Sequence, residues 1–427
     1  MDATVNLDSH SNLPNRLDPG PRWQPRFWAI FGGQGLSLIG SALTQFVLLW
    51  WIADTTGSVS ALATAGMAAL LPQAIFSPFG GTLADRYSRR ALMIGADTIS
   101  AVCMMVLIAL FLTGQVALWH VYTMMFIRSA MQAFQAPAAA ASTTMLVPQS
   151  FLPRAAGLNQ TLQGLMVVAA APLGAFAISV MPIGLALGLD VLTAVLGILP
   201  LLLFRIPQVH LPQEQRTGLW KEFREGVHLI WHLPGLRRLY GLLGAVVLVI
   251  MPSFTLVPLL VKEHFAGGVR EVALMESLSG VGMLAGGLIV AALAPRRQIL
   301  WILLGFAVSC LTVAFTALAP QNLFWMAVVW WVMSGLTFIL GNAPFTALLQ
   351  TTIPNHIQGR ALSLLNTMMG LAAPIGLAIA MPLGELIGIR WLFVAQGVLG
   401  TVISLAGFLS PPLLRMGSPD RETDKTL

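Results

Sequence analysis

Arg128, Gln132 and Gln135 follow one another at intervals of four and three inside an otherwise apolar run. That spacing sets a guanidinium and two carboxamides on one face of a helix. An earlier apolar run carries Gln34, Ser37, Ser41, Thr44 and Gln45, again on one helical face. Such stripes can hold a polar or charged ligand and pass protons, and they contain no nucleophile–base pair. Asp190 and Glu276 stand in the outer parts of their runs, where a carboxyl partly withdrawn from water can change its protonation state with its surroundings. Asp97, two turns into a third run and close to a charged hairpin, reads as structural, and Asp54 and Glu385 read as interfacial. His120, His232 and His264 lie near run ends and read the same way. No Walker motif, paired Cys/His set or nucleophile elbow occurs in the sequence. Cys103 and Cys310 sit in apolar runs as small core residues. An enzyme, an ATP-driven pump, a metal site and a bound cofactor therefore find no support.

The elements that must carry these residues follow from composition. Of 427 residues, 56% are hydrophobic and 9% charged, with a mean hydropathy of +0.80. A soluble chain needs roughly a quarter of its residues charged, so this chain lacks the polar surface to face water. Its apolar runs last about 20 residues or more, the length that crosses a bilayer as a helix, whereas barrel strands alternate over about 10. Twelve spans are expected: 27–52, 59–84, 91–113, 117–140, 155–178, 182–204, 238–261, 271–294, 298–318, 321–345, 361–386 and 390–410. The expected fold class is an all-α integral membrane protein, with twelve transmembrane helices in two pseudo-symmetric six-helix bundles. The expected division is a tail to residue 26, a bundle over 27–204, a linker over 205–237, a bundle over 238–410 and a tail over 411–427. The linker contains the amphipathic stretch GLWKEFREGVHLIWHLPGLRR. The polar, Pro-rich N-terminus does not read as a cleavable signal peptide. If both termini face the cytoplasm, nineteen of the 23 Lys and Arg lie on that side. Lys262, Arg270 and Arg390 lie outside and Arg128 within a span. That bias satisfies the positive-inside rule and explains the net charge of +6 without any nucleic-acid partner.

The halves repeat weakly. VPQSFLPRAAGLNQTLQG before and into the fifth span echoes IPNHIQGRALSLLNTMMG at the eleventh, and APLG at 171–174 echoes APIG at 373–376. Between spans two and three lies GGTLADRYSRR, with Gly81, Asp85, Arg86, Ser88, Arg89 and Arg90. This resembles the G-x-x-x-D-R-x-G-R-R/K signature of the major facilitator superfamily, with Ser88 in place of the second glycine. GQGLSLIGSALTQF, TTGSVSAL and FIRSAMQAFQAPA further resemble its twelve-helix drug:proton antiporter branch, which includes macrolide-efflux and enterobactin-exporter-like permeases. The resemblance implies that helices 1, 4, 7 and 10 line a central cavity. It also implies that Arg128 couples proton and substrate. Gly81, Asp85, Arg86, Arg89 and Arg90 would latch the cytoplasmic end, with Asp85 against the helix start near Gly359 and Arg360. Gly80 and Gly81 would let helix 2 approach a neighbour closely.

The expected activity is secondary active transport by alternating access: proton-coupled export of amphiphilic drugs from a bacterial plasma membrane. The expected partners are a small amphiphilic substrate, protons and lipid, with the chain acting as a monomer. Coupling is expected at Arg128, Gln132, Gln135, Gln34, Ser37, Gln45, Asp190 and Glu276. Export of a siderophore, natural product or lysolipid is the alternative, because an Arg128 without a nearby cavity acid would favour an anionic group. A sensor with a transporter fold is the other class. Met251, Phe254, Phe324, Trp325, Trp330, Trp331 and Phe338 on helices 7 and 10 read as core or lipid-facing; any that line the cavity would make the site half aromatic.

Overall fold

The computed structural model describes residues 20, 22–206, 234–293, 295, 297–352 and 355–414. Among them are twelve helices of 18 residues or more. In the first half they are α1 Trp23–Thr56, α2 Val59–Arg86, α3 Arg89–Leu112, α4 Leu118–Leu146, α5 Leu152–Val180 and α6 Ile183–Leu203. In the second they are α7 Pro234–Phe265, α8 Val269–Leu293, α9 Gln298–Leu318, α10 Phe324–Thr352, α11 Asn355–Ile387 and α12 Ile389–Ala406. Eleven of these are long and apolar enough to cross a membrane. The exception is α4, whose apolar run is interrupted by Arg128, Gln132 and Gln135. The amphipathic stretch expected between the halves, and both tails, fall outside the described residues.

Local chemistry sets the breaks between helices. Gly57 takes a left-handed conformation with φ 58° and its N–H donates to the Ala53 carbonyl, closing α1. Ser58 then caps α2 by accepting from the Ala61 N–H at 3.2 Å. Ser88, the residue that departs from the family signature, caps α3 by accepting from Ala91 N–H at 3.3 Å. Serine at this position thus satisfies a helix-start N–H that a glycine would leave to water.

The packing repeats between halves. In the first half α1 packs on α5 and α6, α3 on α4 and α6, and α2 on α4. In the second α7 packs on α11 and α12, α9 on α10 and α12, and α8 on α10. The halves meet chiefly through α2 against α11 and α5 against α8, which exchange under the same relation. Glycines permit both contacts: Gly66 admits Thr255 and Leu377 side chains, and Gly280 admits Val167 and Val168.

Polar bonds tie the halves at one end. Lys262 Nζ lies 3.3 Å from Asp54 Oδ1 and also donates to the Ala53 and Asp54 carbonyls. Glu385 Oε1 accepts from Ser58 Oγ and from Ser60 N–H, each at 3.0 Å. Asp54 and Glu385 are therefore clamps between halves rather than isolated interfacial acids.

The candidate transport cavity

At the middle of the first half, α4 presents Arg128 toward α6. Its Nη1 donates to Asp190 Oδ2 at 2.6 Å and its Nη2 to Asp190 Oδ1 at 3.3 Å. Ser41 of α1 adds a third bond to Oδ1 at 3.2 Å. The two side chains are 15% and 6% exposed, so the charges are largely removed from water and cancel each other. An Arg128 standing free of acids, the condition for an anionic substrate, is not what the fold builds.

A cavity of ≈200 Å³ opens beside this pair. Arg128, Gln132, Gln135, Ser37, Gln45 and Asp190 all line it, as expected. So does Asp97, which the sequence marked as structural. Its depth in α3 brings it level with the polar stripes of α1 and α4. The missed signal is the three-residue spacing of Asp97 and Ser100, which both reach the cavity.

Gln34 lies on a second cavity of ≈150 Å³, shared with Gln132 and Gln135 and running toward Asn159 and Gln163 of α5. The three amides form a string between the cavities. Gln132 Nε2 donates to Gln135 Oε1 at 3.4 Å, and Gln135 Nε2 to Gln34 Oε1 at 2.6 Å. Gln34 Nε2 then donates to Asp97 Oδ2 at 3.1 Å and to the Gly197 carbonyl at 3.2 Å. Each carboxamide orients the next.

Glu276 is not part of this cluster. It stands on α8, one turn before the Gly280 contact with α5, in the other half. The second half carries neutral or apolar residues where the first carries charge. Arg128 is the eleventh residue of α4, and Ser334 the eleventh of α10, bonding Ser309 at 3.2 Å. Asp190 is the eighth of α6, and Gln396 the eighth of α12, accepting from Ser253 Oγ at 2.8 Å. Asp97 is the ninth of α3, and the fully buried Phe306 the ninth of α9. Phe306 packs edge-on to Phe338 at 5.6 Å, and Trp331 lies 5.1 Å from Phe254. Trp331 and Phe338 are buried and Trp325 is exposed. These aromatics are core or outer-face residues, and none of them lines the cavity beside Arg128.

The charged hairpin is built into the first half. Arg89 Nη1 donates to the Ala141 carbonyl of α4 at 3.0 Å. Arg90 donates to the Leu201 carbonyl and, at 2.8 Å, to that of Leu202, filling acceptors that the end of α6 leaves open. Gly80 makes the close approach to α4, where an added Cβ would strike the Ala133 carbonyl oxygen. At Gly81 an added Cβ would meet nothing within 4 Å. The side chains of Asp85, Arg86 and Arg360 lie outside the described residues. His120 Nδ1 accepts from its own helix-start N–H at 3.0 Å, and His264 bonds the Ala319 carbonyl at 2.9 Å, so both are structural. His232 lies outside the described residues.

Known proteins match this chain along most of its length. The family model described as Major Facilitator Superfamily matches residues 30–376 and 253–425. Macrolide efflux protein A of Streptococcus pyogenes is 32% identical over 90% of this chain and 95% of its own. Multidrug efflux pump Tap of Mycobacterium tuberculosis is 22% identical over 94% of this chain and 97% of its own. Among solved structures, a bacterial homolog of the human lysosomal transporter Spinster superposes with a TM-score of 0.68. It is 18% identical and covers 93% of this chain and 99% of that one. A POT family transporter gives 0.72 at 12% identity, covering 91% and 96%. The shared signature, the paired six-helix packing and these matches lead to one conclusion: the chain belongs to the Major Facilitator Superfamily.

Proposed function

We propose that this chain is a proton-coupled exporter of amphiphilic drugs, macrolides among them, working by alternating access as a monomer in a bacterial plasma membrane. The observation that carries the reading is the cavity flanked by Arg128, Asp190 and Asp97 at membrane depth. Ionisable groups are costly there and are retained where they bind or move charge. Two efflux proteins among the relatives support the direction of transport. The distribution of Lys and Arg supports cytoplasmic termini. The clamped end bearing Asp54 and Lys262 is then the outer one, and the form described is closed to the outside. The resemblance supports Gly81, Asp85, Arg86, Arg89, Arg90 and Arg360 as the latch of the opposite end.

Everted vesicles containing the chain should accumulate a macrolide and a lipophilic cation dye when a pH gradient is imposed, and release them when it collapses. Accumulation that ignores the gradient would sink proton coupling, and no accumulation of either compound would sink drug export.

The outer clamp gives a second expectation. Lys262→Ala combined with Glu385→Gln should raise the population open at that end by about two- to fivefold, because partly exposed pairs contribute up to about 1 kcal/mol. Spin labels at Thr64 and Met381 would report it as growth of a longer-distance component. An unchanged distance distribution would show that the clamp does not hold the two halves together at that end.

A further inference from the structure

The cavity contains three ionisable side chains and two of them cancel. Asp190 is paired, with Arg128 and Ser41 supplying three donors to its two oxygens. Asp97 receives one bond, from Gln34, and its Oδ1 has no hydrogen-bond partner among the described residues. The charged groups facing it are Arg128 from α4, engaged elsewhere, and Asp190 from α6, whose carboxylate repels it. The cavity therefore holds one negative charge in excess when Asp97 is ionised. A carboxylate left uncompensated at membrane depth is stabilised by whatever neutralises it. The small species that can do so are a proton and a cation that fits the cavity.

A second observation points to a ligand in the same cavity. Thr44 Oγ1 is buried without a hydrogen-bond partner among the described residues, and Thr44 lines this cavity. A donor-acceptor left idle in the same cavity is what a bound polar group would engage. Around these lie Leu38, Ala42, Met125 and Met166, an adaptable apolar wall suited to the rest of an amphiphile.

Building on the proposed export function, we propose that Asp97 is the exchangeable carboxylate of the cavity, taking the cationic head of an amphiphile in exchange for its proton. In the step, the neutral Asp97 acid meets a substrate cation. The O–H bond breaks, the proton leaves to the open side, and the carboxylate–cation pair forms; one positive charge enters and one leaves. Gln34 is a positioning residue. Its amide holds Asp97 Oδ2 and the Gly197 carbonyl of α6 together, so a change of charge on Asp97 is felt by the packing of α1 on α6.

The test uses the purified full chain in detergent with tetraphenylphosphonium, a cation that has no proton of its own to give. In weakly buffered solution near pH 5, binding to the wild type should release close to one proton per cation. Asp97→Asn retains the acceptor for Gln34 and should release none, with affinity reduced by roughly tenfold, about the value of one charge-assisted contact. Asp97→Glu restores a carboxylate and should restore release. Wild type that binds the cation without releasing a proton overturns the proposal and needs no variant to show it. Asp97→Asn that binds and releases like wild type also overturns it. If release behaves as expected but vesicles show no gradient-driven export, the exchange site stands and the export reading fails.

Discussion

Replacing Arg128 by alanine is expected to abolish transport and to destabilise the fold at once, and a double variant separates the two effects. The guanidinium and the Asp190 carboxylate are largely buried and joined at 2.6 Å. Removing one partner leaves the other charge unpaired, which costs about 3 to 5 kcal/mol in a protein interior. The low end applies here, because the adjoining cavity of ≈200 Å³ can admit water to the orphaned carboxylate. The thermal midpoint in detergent should fall accordingly. Arg128→Met with Asp190→Leu replaces the pair by apolar volume, and such swaps are often neutral or stabilising. The double variant should therefore recover most of the midpoint. Transport should stay roughly 100-fold down in both, because the guanidinium that the coupling role requires is missing from both. If the double variant recovers transport together with stability, the pair is glue between α4 and α6 and the coupling role fails.

The helices were legible because lipid leaves the backbone no alternative. Runs of apolar residues longer than a bilayer is thick must be helical, and each of the twelve expected spans overlaps one of the helices found, with ends that differ by up to seven residues. The stripes of α1 and α4 were legible for the same periodic reason. Asp190 could be named as a candidate acid, but not its partner. Arg128 lies 62 residues away, and only the joint packing of α3 on α4 and α6 brings the two to one cavity. Proximity in sequence to the charged hairpin makes Asp97 read as structural, and helical register is what brings it to the cavity. Nine residues into α3 it already stands level with Gln34, which reaches it from α1. Ser88 looked like a lapse from a family pattern and is a helix cap. The idle charge positions of the second half became visible only once the helices could be compared turn by turn, with Phe306 where Asp97 stands and Ser334 where Arg128 stands.

Neighbouring glycines in the charged hairpin should behave in opposite ways. A side chain at Gly80 would run into the Ala133 carbonyl oxygen, with the Phe134 Cα close behind. Both are backbone atoms of α4, so no rotamer change can yield and α2 must move away bodily. Gly80→Val should therefore cost about 2 to 3 kcal/mol, as overpacking of a close contact does, and should sharply reduce folded protein in the membrane. Gly81 faces open space in this state, and in a helix alanine is favoured over glycine by about 1 kcal/mol. Gly81→Ala should therefore leave the thermal midpoint unchanged or raise it slightly. Its effect on transport then bears on the latch. If α2 must close against α11 in the other state, as the resemblance implies for the stretch Gly81 to Arg90, Gly81→Ala slows export while leaving the midpoint intact. If export is also unchanged, Gly81 takes no part in that closure, and the latch is left to the charged residues that follow it.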